Sequence, residues 1–133
     1  MKVGILGCGA MAETFADTLR QMEETECYAA ASRTLKRAEE FAREYGFEKA
    51  YGSYEKLCED PEVELIYIAT PHSCHFDNME LCIRHKKPVL CEKAFTLNAE
   101  EAERIKELAK QEQVFVAEAI WTRYMPSRNM IQE

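Results

Sequence analysis

The chain alternates between short apolar blocks and longer stretches whose apolar residues recur at helical spacing. Residues 2–6 read as a strand. Residues 10–23 read as a helix with Met11, Phe15, Leu19 and Met22 on one face. A second strand is predicted over 27–32. A helix follows over 34–45, with Leu35, Ala38, Phe41, Ala42 and Tyr45 on its apolar side and Gly46 as its stop. Residues 49–51 fit a short third strand, and Ser53 caps a small helix that Asp60 and Pro61 end. The unbroken apolar run 65–69 suits a central strand buried on both faces. A helix over 73–85, a strand over 88–91, a helix from the Asn98/Glu101 capping box to Gln111 and a strand over 114–118 complete the series. Pro126 is placed to open one more helix. Strands alternating with crossover helices define an α/β fold, a doubly wound parallel sheet of about six strands with helices on both faces.

Composition narrows the function classes. At 133 residues and 47% hydrophobic content the chain suits one domain with a proper core. Its net charge of −7 argues against nucleic acid as a partner. No apolar stretch approaches the roughly 20 residues that span a bilayer, so no membrane partner is expected. Strand pattern starts at once after Met1, leaving no room for a signal peptide, and a cytoplasmic location is the expectation. The six cysteines form no C-x-x-C pair and are read as reduced, mostly buried small residues, with no metal site expected.

The chemistry lies in the loops after the strands, where ligands bind in such sheets. Residues 7–12 read Gly7-Cys8-Gly9-Ala10-Met11-Ala12 between a strand and a helix. Gly7 allows a tight turn, Gly9 lets the backbone approach phosphate, and Ala12 lets helix and strand pack closely. The unpaired amides at the helix start then face a dinucleotide pyrophosphate. Cys8, at that helix start, is open to two readings: a thiol with lowered pKa or a small filler of the loop. A fold that binds NAD places an acid roughly 20 residues beyond the glycines. Here the sequence is Ser32-Arg33-Thr34 with Arg37 one turn on, which points to the 2′-phosphate of NADP, with NAD as the alternative cofactor. The competing reading leaves Arg33 and Arg37 as solvated charges. Thr70, Pro71, His72 and His75 form a loop expected to close over the cofactor, with Pro71 fixing the turn and His75 hydrogen-bonded in the first turn of the helix. The spacing of His72 and His75 invites a metal, but no third ligand lies nearby. His85 is read as a helix C-terminal cap. Glu92-Lys93 directly follows the fifth strand, either as a surface ion pair or with Lys93 managing a substrate proton during hydride transfer. Trp121 and Arg123 follow the sixth strand, as a wall of the ligand cleft or as part of a domain interface.

These motifs together resemble the N-terminal, Rossmann-type domain of the Gfo/Idh/MocA oxidoreductases. The resemblance rests on residues 7–12, Ala31-Ser32-Arg33, Ala69-Thr70-Pro71-His72 with His75, and Cys91-Glu92-Lys93-Ala94. Glu118-Ala119-Ile120-Trp121-Thr122-Arg123 narrows it to the branch that holds trans-1,2-dihydrobenzenediol dehydrogenases and NADP-dependent D-xylose dehydrogenases. The resemblance implies a cofactor-binding domain over residues 1–125 of an oxidoreductase acting on a polyol, sugar or cyclic diol. It implies that Lys93 assists catalysis near the nicotinamide, that Arg33 favours NADP, and that Trp121 and Arg123 line the cleft. Ala94 stands where the family usually has proline. Members continue into a C-terminal domain that supplies a second catalytic His or Tyr and most of the homo-oligomer interface. Residues 126–133 would begin the helix leading there, so catalysis by these 133 residues alone is not expected. A non-catalytic NAD(P)-binding sensor or regulatory module remains the alternative function.

Overall fold

The computed structural model describes residues 1–125 and 127. The expected helix at Pro126 lies outside the described residues. Six strands form one parallel sheet in the order β3-β2-β1-β4-β5-β6: β1 Lys2–Leu6, β2 Glu26–Ala31, β3 Lys49–Tyr51, β4 Leu65–Ile68, β5 Val89–Glu92 and β6 Val116–Ala119. Helices α1 (Ala10–Leu19), α2 (Leu35–Tyr45), α3 (Tyr54–Glu59), α4 (His75–Arg84) and α5 (Ala99–Glu112) connect them. Leu6 pairs with Ala31 on one side and Ile68 on the other. The chain therefore leaves β1 in one direction and returns beside it in the other. A crevice opens at the carboxyl ends of β1 and β4, where the topology switches.

Each face of the sheet has its own core. Val3, Ile5, Ala30 and Tyr67 face α1 and α2, packed with Ala12, Ala16, Phe41 and Ala42. Leu6, Ala29, Ile66 and Ile68 face the other way, against Leu57, Met79, Ile83 and Ile105. The period of two along the strands thus serves both faces. Among the described residues, α1 and α2 leave the β4–β6 part of their face open. Tyr67, Leu90 and Ala119 there line a cavity of about 410 Å³ together with Met11, Phe15, Trp121 and Tyr124.

Several boundaries differ from the sequence expectation, each for a local reason. Helix α1 stops at Leu19 because the next amides bond three residues back, from Gln21 to Thr18 and from Met22 to Leu19, while the Thr25 hydroxyl takes the Leu19 carbonyl. Its buried face is Ala12, Ala16 and Leu19, small enough to bring α1 close to the sheet; Met11 and Met22 are exposed. A 3-10 turn over His72–Cys74 precedes α4, closed by the Cys74 amide on the Pro71 carbonyl. The left-handed Gln113 and the bond from the Val114 amide to the Ala109 carbonyl make Val114 part of the α5 cap, so β6 starts only at Val116. Gly46 ends α2 in the left-handed conformation, as expected. Asn98 caps the Glu101 amide at 2.9 Å, while the Glu101 carboxylate reaches the Leu97 amide. All six cysteines are free thiols. Cys8, Cys58, Cys82 and Cys91 are buried, and Cys27 and Cys74 are partly exposed.

Candidate functional site

At the carboxyl end of β1 the backbone must turn so tightly that Gly7 takes φ +92°, and a Cβ there would lie 2.9 Å from the Ala69 carbonyl oxygen. Gly9, just ahead of α1, is different. Its backbone is extended at φ −102°, and a Cβ there would meet nothing within 4 Å. The space beside Gly9 is therefore open to a ligand, and the first amides of the ten-residue α1 lie at its edge.

This loop lines a cavity of about 570 Å³ together with Ser32, Arg33, Thr34, Arg37, Tyr54, Ala69, Thr70 and Pro71. The structure so brings together Gly7, Cys8, Gly9, Ala10, Met11, Ser32, Arg33, Arg37, Thr70 and Pro71 of the predicted site. Ala12 stands just behind them, fully buried. The Arg37 guanidinium donates to the Cys8 carbonyl at 2.7 Å, so it anchors the glycine loop as well as facing the cavity. Burial pushes the Cys8 thiol up to about 11, against the pull of Arg37, and its Sγ sits 3.6 Å from the Ala31 carbonyl. The small-filler reading of Cys8 is the one this environment supports. Tyr54 is a wall that sequence reasoning missed. Burial raises its phenol while the nearby Arg33 charge lowers it, and its only sequence signal was its place just after β3.

His75 does not reach the cavity. It is fully buried, with Nδ1 2.7 Å from the Ala94 carbonyl and Nε2 2.9 Å from the Thr70 carbonyl. The expected cofactor contact is replaced by a tie between two loops, because both ring nitrogens are engaged inside the fold. His72 is exposed and packs edge-on against the His75 ring at 5.4 Å. The Asn78 amide donates to the Thr70 hydroxyl at 2.7 Å, adding a second tie to the same loop. His85 lies 2.9 Å from the Leu81 carbonyl at the end of α4, the expected cap.

Glu92 and Lys93 are not a surface ion pair. Glu92 turns inward, 8% exposed, and accepts the Tyr67 hydroxyl at 2.5 Å and the Lys93 amide at 3.2 Å. Burial, then the bond and charge of Glu92, push the Tyr67 phenol well above its ordinary range. The Lys93 side chain is exposed at the strand end, and the bond between Lys93 and Ala94 is cis. Trp121, 61% exposed, lines the apolar cavity beside Glu92. Arg123 stands in the same 3-10 turn, Trp121–Tyr124. Met11 is common to both cavities, so the glycine cradle and the Glu92 wall are adjacent. Among the described residues no helix is long and apolar enough to cross a membrane.

A parallel sheet with a glycine turn and open helix amides at its switch point defines a dinucleotide-binding domain of the Rossmann type. The chain belongs to the Gfo/Idh/MocA oxidoreductase family, described by its NAD-binding Rossmann fold, whose profile matches residues 1–119. It is 42% identical over its whole length to trans-1,2-dihydrobenzene-1,2-diol dehydrogenase of Mus musculus, covering 40% of that protein. It is 43% identical, again over its whole length, to D-xylose 1-dehydrogenase (NADP(+)) of Hypocrea jecorina, covering 37% of it. Among solved structures it is similar to KijD10, a 3-ketoreductase of Actinomadura kijaniata in complex with NADP and TDP-benzene. That likeness has a TM-score of 0.92 at 28% identity and covers 98% of this chain and 40% of that one. The chain thus spans about two fifths of the length of these curated relatives.

Proposed function

We propose that this domain is the NADP-binding part of an oxidoreductase that moves a hydride between nicotinamide and the carbinol carbon of a sugar or cyclic diol. The observation that carries this reading is the open space at Gly9. A Cβ would fit there without touching the protein, so the glycine is explained by the close approach of a ligand to the backbone. The amides at the start of α1 would face the pyrophosphate. Arg33 and Ser32, on the far wall of the same cavity, would pair with the 2′-phosphate, and Tyr54 would flank the adenosine. The bound nicotinamide supplies the hydride acceptor or donor. Lys93, exposed at the end of β5, would hold the proton at the substrate oxygen. Trp121 and Arg123 would form the wall towards the substrate. The relatives' diol and sugar dehydrogenase activities support the substrate class. Residues 1–125 are read as the cofactor domain, with the rest of the substrate pocket and the oligomer interface on a domain that follows. The free thiols support a reducing, cytoplasmic setting.

Thermal-shift titration with NADP⁺ and NAD⁺ tests the reading. Binding stabilises by RT ln(1 + [L]/Kd), so NADP⁺ at ~100 Kd adds ~2.7 kcal/mol. A clear shift with NADP⁺ and a small one with NAD⁺ is expected. Equal shifts would overturn the specificity, and no shift with either would overturn the cofactor.

A further inference from the structure

The turn after β5 carries Lys93, and its backbone is met by side chains from three directions. The Lys93 amide donates to Glu92 Oε2 at 3.2 Å. The Ala94 carbonyl lies 2.7 Å from His75 Nδ1 on α4. The Phe95 amide donates to Glu118 Oε1 on β6 at 2.9 Å. Glu92 is itself held inward by the Tyr67 hydroxyl of β4, and the Tyr67 ring is stacked under Phe15 of α1 at 3.7 Å. Core closure does not call for this arrangement, because Lys93 and Ala94 are both exposed. A buried carboxylate is a weak source of stability, since its desolvation offsets most of what its bonds return. Two carboxylates and an imidazole aimed at one exposed turn instead limit the positions open to its backbone.

We propose that Tyr67, His75 and Glu118 are positioning residues that fix the Lys93 turn, and with it the direction in which the lysine amine leaves the sheet. The inference deepens the proposed function, on which the role of Lys93 rests. His75 then serves the site without touching cofactor. The three residues work as a unit: His75 meets the Ala94 carbonyl, Glu118 accepts the Phe95 amide, and Tyr67 holds the Glu92 carboxylate that accepts the Lys93 amide. A lysine stem has four rotatable bonds, so a fixed origin is the part of its placement that the fold can supply.

Two single substitutions in the 133-residue chain test this. Tyr67→Phe keeps the ring under Phe15 and removes only the hydroxyl, and Glu118→Gln keeps the size and removes the charge. Amide hydrogen exchange followed by NMR should quicken at least tenfold at Lys93 in Tyr67→Phe and at Phe95 in Glu118→Gln. Exchange at Ile66 and Val89 should stay as it was. Titration then separates the ends of the ligand. NADPH affinity should fall several-fold, while that of 2′,5′-ADP, which lacks the nicotinamide, should not change. Unchanged exchange at both turn amides would overturn the proposal, as would equal losses for both ligands, which mark a general structural role. If the unsubstituted chain binds neither ligand, the cofactor reading fails, and the exchange rates alone decide whether the clamp exists. Should one variant fail to fold, the other tests the same turn from a different strand.

Discussion

Two buried carboxylates in this domain each accept a tyrosine hydroxyl, yet their surroundings differ. Asp60, at the end of α3, is 5% exposed. Its Oδ2 takes the Tyr51 hydroxyl at 2.7 Å and the Lys49 ammonium at 3.0 Å, and its Oδ1 takes the Glu62 amide at 2.9 Å. Lys87 adds a bond to the Asp60 carbonyl at 2.6 Å. Around Asp60 every group is answered from within, and a cation closes the set. Glu92 has the phenol of Tyr67 and one amide, lines an open cavity, and is followed by a lysine whose amine has no carboxylate partner among the described residues. The first node joins β3, the end of α3 and the loops that lead into β4 and β5. The second leaves its cation pointing outward. The same phenol–carboxylate pair thus serves cohesion in one place and presentation in the other. The presence of a neutralising ammonium tells them apart.

If that division holds, changes in the crevice should move affinity and changes at Asp60 should move stability. The largest effect is expected from Arg33→Asp, which removes a charge-assisted bond to phosphate and adds repulsion. NADP⁺ affinity should fall ~100-fold, about 3 kcal/mol, with NAD⁺ affinity little changed, as read by calorimetry. A matching loss for both cofactors would make Arg33 a structural residue. Asp60→Asn should lower unfolding stability by ~2 kcal/mol in denaturant titration without altering NADP⁺ affinity of the folded protein. A variant with weaker binding and full stability would erase the distinction.

Acid gives the same test without mutation. Burial alone would raise the Asp60 carboxyl, but Tyr51, the Glu62 amide and Lys49 hold it down to about 2, below its ordinary value of 3.8. A depressed carboxylate contributes stability above its unfolded pKa and loses it as pH falls through the folded one. Stability should therefore drop by roughly 2 kcal/mol between about pH 4 and pH 2 from this group, and the drop should vanish in Asp60→Asn. The smallest effect is expected at Gly9. Gly9→Ala should leave the melting temperature of the free protein unchanged and weaken NADP⁺ about tenfold, ~1.4 kcal/mol, because the added methyl meets ligand and not protein. Unchanged affinity in that variant would mean that the space beside Gly9 is not where phosphate binds.

The sequence makes the local part of this fold readable. Gly46 stops α2 and Ser53 and Asn98 cap their helices where side-chain chemistry alone places them. Strand β4 follows from an apolar run that is buried on both faces. The proposed phosphate cradle is readable for the same reason, since Gly7, Gly9 and Arg33 each belong to a loop directly after a strand. What the sequence does not show is which way a side chain turns once strands are neighbours. Glu92 looks like half of an ion pair with Lys93 until Tyr67, 25 residues earlier, draws it inward. His75 looks like a loop ligand until two carbonyls, one of them 19 residues away, enclose it. Met11 and Met22 fit a helical stripe with Phe15 and Leu19, but both are exposed and Ala12 and Ala16 join Leu19 in the buried face, because a close approach to the sheet favours small residues.

The placement of the thiols gives the protein a graded chemical clock. Cys27 and Cys74 are within reach of an alkylating reagent in the native state, while Cys8, Cys58, Cys82 and Cys91 must wait for the chain to open. Cys58 and Cys82 lie 3.7 Å apart between α3 and α4, so their labelling dates the parting of those helices. Cys8 stands within the glycine turn, its side chain buried, and dates the loosening of the cradle itself. A time course resolved by peptide mass would therefore report, from one unlabelled sample, whether the cradle loosens before the helices behind the sheet do.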